Sequence, residues 1–223
     1  MKRMIKNRIL YLIIFALGLL TVTSPSASSS LSLDSILTQV EKRYDINDFS
    51  VRFFQTSSLK AMAVQDTASG KLQVKRPGMM RWDYEEPDKQ IIISDGIQLW
   101  IYRPEDNQVM VGRALSLFGE GKGAGFLSDI KSVRKNFSIT LENKEGEKSY
   151  LLKLIPKNKT QDLSRVFLKV SPETFEVMEV ITYNMYDDET RIELTDYSYD
   201  RNLGDDVFRF EIPDGTDVIK LEQ

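Results

Sequence analysis

Neither cysteine nor histidine occurs in the 223 residues. Their absence removes disulfides, thiolate and imidazole zinc ligands, Ser-His and Cys-His nucleophiles and imidazole general bases together. Any catalysis would have to rest on carboxylates, Lys or Tyr. The adjacent acids Asp187-Asp188 and Asp205-Asp206 lie in turn-like stretches where carboxylates are ordinarily solvated, so a carboxylate hydrolase is the weaker reading. No enzyme activity, metal or cofactor is expected. An excess of charge of one sign is missing too: 30 basic against 33 acidic residues leave a formal net charge of -3, which offers nucleic acid no footprint. No repeat of fixed period is present, and the length fits one β-rich domain.

Long apolar runs are also scarce, and the one at residues 9–20 has the setting of an export signal. Lys2, Arg3, Lys6 and Arg8 precede it, and Ser24-Pro25-Ser26-Ala27-Ser28 supplies small residues for cleavage between Ala27 and Ser30. A membrane anchor is the alternative, but the run is about a dozen residues where a spanning helix needs roughly 20. The expected division is a signal peptide at 1–29 and a domain at 30–223. Without cysteine there is no site for lipid attachment after cleavage. The mature chain is therefore expected to be soluble outside the inner membrane, in the periplasm of a two-membrane cell.

What the chain does contain is alternation, densest over residues 70–102. Leu72 and Val74 share one face of a strand with Gly70, while Lys71, Gln73 and Lys75 share the other. Arg76 falls in phase with the apolar side, where an unpaired charge is expensive. Packing alone gives no reason for it. Pro77-Gly78 breaks the run. Met80, Trp82 and Tyr84 then share a face, and Asp95-Gly96 between two β-type runs is the sharpest hairpin signal in the chain.

Elsewhere, residues 33–44 have helical spacing, with Leu33, Ile36, Leu37, Val40 and Tyr44 on one stripe and Ser32 as N-cap. Residues 49–55 and 59–65 read as two strands joined by Thr56-Ser57-Ser58, and 108–112 as another. Two short helices, 113–118 and 125–137, flank a glycine-rich run. That run is no phosphate loop, because Lys122 is followed by Gly123 rather than Ser or Thr. A movable cover and a static packed crossover both remain open for this insert. Strands follow at 137–142, 150–156, 165–170, 176–183 and 190–199, and Phe208, Phe210 and Ile212 close the domain. The total is roughly ten or eleven strands and about three helices, in an antiparallel, strongly curved sheet.

The blocks G-x-L-x-V-K-R-P-G-M-M-R-W (residues 70–82) and I-I-S-D-G-x-x-L-W-x-Y (92–102) resemble the LolA family of periplasmic outer-membrane lipoprotein carriers. Phe53-x-Gln55 upstream and Phe208, Phe210, Pro213 and Gly215 downstream keep the same order. The resemblance implies a mainly β single domain: an unclosed β-barrel under a helical lid, here about 113–135, with a cavity for acyl chains. It implies a lid latch at Arg76, hydrogen-bonded to lid carbonyls in the empty state. Cavity candidates on the strands are Phe53, Leu72, Val74, Met80 and Trp82, then Ile93, Leu99, Trp100 and Met110; on the lid they are Leu115, Phe118, Phe126, Leu127 and Ile130. Met62, Met79, Met178 and Met185 could add an adaptable lining if they face inward. Met80 stands where the family places an aromatic residue, and the glycine-rich insert also departs from its pattern.

Implied partners are lipoprotein acyl chains, an inner-membrane ABC lipoprotein exporter and an outer-membrane lipoprotein receptor, with the carrier a monomer. The related receptor is anchored through a cysteine, so a chain without one is similar to the carrier. A periplasmic lipid or lipopeptide sensor of the same half-barrel type is the alternative.

Overall fold

The structure, a computed structural model, describes residues 31–114, 125–142, 148–158, 160–199 and 201–221. Contacts divide the chain into Met1–Ser30 and Leu31–Gln223. The expected signal peptide therefore lies outside the described residues. Among those residues no helix is long and apolar enough to cross a membrane.

Helix α1 (Leu33–Arg43) starts where the Ser32 hydroxyl accepts from the Ser35 N–H, and it buries Ile36, Leu37 and Val40. Twelve strands form one sheet: β1 (Asp48–Leu59), β2 (Val64–Lys75), β3 (Met79–Glu86), β4 (Gln90–Asp95), β5 (Gln98–Arg103), β6 (Gln108–Arg113), β7 (Phe137–Leu141), β8 (Tyr150–Pro156), β9 (Arg165–Val170), β10 (Val177–Tyr183), β11 (Glu189–Tyr199) and β12 (Asp217–Lys220). Their spatial order is β12-β6-β5-β4-β3-β2-β1-β11-β10-β9-β8-β7. The sheet is curved and unclosed, and β6 and β7, consecutive in sequence, stand toward its opposite edges. The Asp95-Gly96 hairpin forms as expected. Gly96 takes φ +95°, and Asp95 Oδ1 accepts from the N–H groups of Ile97 and Gln98.

Two expectations are corrected. The break at Thr56-Ser57-Ser58 does not occur: β1 and β2 pair without interruption from Asp48↔Lys75 to Leu59↔Val64. Each added ladder pair gives backbone N–H and C=O groups partners, so polar residues that need no burial still extend it. Residues 125–137 are not one helix but a 3₁₀ turn at 125–128, the short helix α2 (Ser132–Asn136) and the first residue of β7. A 3₁₀ turn at Asp205–Phe208 precedes an extended tail, and β12 then pairs with β6 in parallel, the one departure from an otherwise antiparallel sheet.

The two faces of the sheet differ. Phe49, Val51, Leu72, Val74, Met80 and Leu99 point inward and join Leu152, Leu154, Val166, Leu168, Val180 and Ile192 in one core under α1 and residues 125–137. On the outer face Ile93, Trp100 and Val109 form a smaller cluster under Phe210 of the C-terminal tail. The tail is pinned there by Lys75 Nζ on the Leu203 carbonyl and Asp205, by Arg81 Nη1 on the Val207 carbonyl, and by Asp48, which accepts from the Arg201 and Leu203 N–H groups.

Candidate functional site

The inner face and its cover form the candidate site. Alternation along β1, β2 and β3 aims Phe53, Leu72, Val74, Met80 and Trp82 inward, and all five are buried. Leu99 joins them, and so do Phe126, Leu127 and Ile130 from the cover. Met110 faces Ile101 across the β5–β6 ladder and is half-buried. These candidates are brought together. Ile93 and Trp100 are not: Ile92 and Leu99 take the inward phase, so their neighbours point outward to the tail. Leu115 and Phe118 lie outside the described residues. Met62 and Met185 are exposed at hairpin ends, and Met178 lines an outer cleft with Lys169 and Glu179.

Arg76 stands where the β2 ladder ends, its backbone N–H donating to the Asn47 carbonyl at 2.9 Å. As its phase predicts, the side chain is partly buried, and burial pushes the guanidinium below its ordinary value against the opposing pull of Asp45 and Asp129. Its Nη2 is buried with no acceptor among the described residues. The expected hydrogen bond to a lid carbonyl is not made among the described residues, and lid residues 115–124 lie outside them. The competition is visible: Asp45 accepts from Lys131 Nζ at 2.9 Å, and the Asp129 carbonyl accepts from the Ser132 N–H and hydroxyl. Arg76 thus feels Asp45 after α1 and Asp129 of the cover without an ion pair to either among the described residues.

The cover is fastened by ions around its apolar contacts. Arg134 of α2 donates to Glu41 at 2.5 Å, to Asp34 at 2.6 Å and to Thr38 at 2.9 Å, which ties it to α1. Helix α1 is in turn fixed to the sheet. The Tyr44 hydroxyl donates to Tyr197 at 2.9 Å and accepts from the Val177 N–H at 3.0 Å. Arg43 pairs with Glu176 and stacks 3.6 Å above the Tyr199 ring. Burial pushes the Tyr44 hydroxyl up to about 12. Sequence reading misses these ties, because Arg134 and Asp34 are a hundred residues apart and no local period links them.

Toward the free end of the β1–β2 hairpin the inner face turns polar. The Tyr84 hydroxyl donates to Gln55 Oε1 at 3.0 Å, and Gln55 Nε2 donates to the Ser57 hydroxyl. Beside Tyr84 a cleft of about 400 Å³ is lined by Ala68, Lys89, Gln90, Arg103 and the acids Asp88, Glu105 and Asp106. Among the described residues no group of three or more acids is gathered as a metal site.

Residues 45–211 match the family model described as outer membrane lipoprotein carrier protein LolA. The chain is 30% identical over 214 residues to the outer-membrane lipoprotein carrier protein of Nitrosomonas europaea, covering 96% of this chain and 99% of that one. It is 25% identical over 209 residues to the protein of the same name from Pseudomonas putida strain GB-1, covering 94% and 97%. Among solved structures, an uncharacterized conserved protein from Thermus thermophilus shares the fold with a TM-score of 0.54 at 10% identity, covering 86% of this chain and 100% of that one. With a family match that runs through the sheet, Arg76 and the cover, the chain belongs to the LolA family of outer membrane lipoprotein carrier proteins.

Proposed function

We propose that this protein carries lipoproteins through the periplasm, holding their acyl chains against the inner face of the sheet between an inner-membrane ABC exporter and an outer-membrane receptor. The supporting observation is a continuous apolar face under a cover held by apolar contacts and edged by ion pairs, with a cation beneath it that lacks a hydrogen-bond acceptor among the described residues. Burial of a dozen methylenes releases on the order of 10 kcal/mol. Lifting Phe126, Leu127, Ile130 and Val133 out of the core costs about 1.5–3 kcal/mol each, so roughly 6–12 kcal/mol. The two terms are of one size. Cargo and cover therefore exchange near balance, and release needs no fuel.

Arg76 tilts that balance. Cargo that parts Asp129 from Arg76 leaves the guanidinium with less counter-charge and raises the loaded state. The test is to incubate protein purified from the periplasm with a labelled triacylated lipopeptide, then add outer-membrane vesicles. The expected result is intact lipopeptide bound and then passed on. Lipopeptide that stays bound would point to a sensor, and cleaved lipopeptide to a hydrolase.

A further inference from the structure

Trp82 is 2% exposed, and its indole Nε1 is buried with no hydrogen-bond acceptor among the described residues. Its cross-strand neighbours are Leu72 and Ile92, and the Phe53 ring stands edge-on at 5.0 Å, so carbon surrounds it. A phenylalanine there would contribute the apolar ring without an unpaired donor. The position of this N–H along the strand gives it a use. Deeper on the inner face lie Val74 and Met80, both nearly inaccessible. Two residues the other way, about 7 Å along the strand, Tyr84 opens the polar end and the cleft beside it. The face thus runs from hydrocarbon through one buried donor to a polar mouth. An acylated amphiphile has the same order: chain, carbonyl, polar head.

We infer that the Trp82 indole N–H is a recognition group for the ester carbonyl of a bound acyl chain, with the chain directed toward Val74 and Met80 and the glyceryl head toward Tyr84 and its cleft. This rests on the carrier reading and adds to it a specificity for acyl esters over plain alkyl chains, since an alkyl ligand leaves the donor unpaired.

The probes are a short lipopeptide bearing S-dipalmitoylglyceryl cysteine and its dialkyl ether counterpart, which has the same chains and no ester carbonyls. The wild-type protein is expected to bind the ester about five- to tenfold more tightly, and Trp82→Phe to bind both alike. The indole N–H resonance of Trp82 is expected to move with the ester and not with the ether. Trp100, on the outer face, serves as the stationary reference. Equal binding of the two probes by the wild type, a preference that survives in Trp82→Phe, or an unmoved Trp82 resonance would each overturn the assignment and leave the carrier reading standing. Binding of neither probe would overturn both.

Discussion

Replacing Arg76 by leucine should make the empty protein more stable, which is unusual for a change at a functional residue. The magnitude follows from two opposed contributions. Among the described residues Nη2 is buried without an acceptor, and a donor in that condition costs about 1–3 kcal/mol. Against this, leucine forfeits the attraction of Asp45 and Asp129. Both carboxylates are reached by solvent, which screens the pairs and makes this the smaller of the two contributions. The net gain is on the order of 1–2 kcal/mol. For a domain of this size each kilocalorie moves the melting point by roughly 2–4 °C, so calorimetry of Arg76→Leu should show a rise of about 2–8 °C. Arg76→Lys keeps the charge and should show no such gain. The same substitution to leucine removes the penalty on the loaded state, so Arg76→Leu should bind lipopeptide about tenfold more tightly and pass it on more slowly. A melting point lowered by Arg76→Leu would refute the reasoning, because it would mean that the guanidinium is hydrogen-bonded in the empty protein after all.

Other expectations concern the sheet and the cover. At Gly70 a Cβ would sit 2.0 Å from the Asp83 carbonyl oxygen, a backbone atom that cannot turn aside, so Gly70→Ala should cost about 3 kcal/mol and lower the melting point by roughly 6–12 °C. Arg134→Ala cuts the ties to Asp34, Thr38 and Glu41, and hydrogen exchange at Leu127, Ile130 and Val133 should speed about tenfold while β1 and β11 stay protected. The Tyr44 hydroxyl, raised by burial from 10.0 to about 12, contributes stability that is complete below pH 10 and lost as pH rises through 12. Urea midpoints should therefore hold from pH 7 to 9 and fall between 10 and 12. Tyr44→Phe, which also strands the Val177 N–H, should start lower and fall less steeply.

Local period carried much of this molecule. The alternation of Leu72 and Val74 and of Met80 and Trp82 foretold which way those side chains point, and Arg76 was marked by the same phase that now leaves its Nη2 without an acceptor. The Asp95-Gly96 pair set a hairpin by its own turn chemistry. Period could not choose between Ile92 and Ile93, or between Leu99 and Trp100, because both faces of β4 and β5 are apolar, one for the core and one for the tail. Nor could it foresee β12, since Val218 and Ile219 remain exposed and only the edge of β6 gives them a partner. The bonds of Arg134 and Lys131 arise where distant segments meet, and nothing in the local sequence encodes them. The unpaired nitrogen of Trp82 is likewise a property of its surroundings.

The strand order carries a consequence for how the molecule can open. Because β6 and β7 stand toward opposite margins of the sheet, the backbone leaving Arg113 must travel across the gap to reach Phe137. The ends of that link are therefore held at both margins, like a drawstring and not like a flap held at one. On the carrier reading proposed above, acyl chains reach the inner face by passing beneath a tie between two margins.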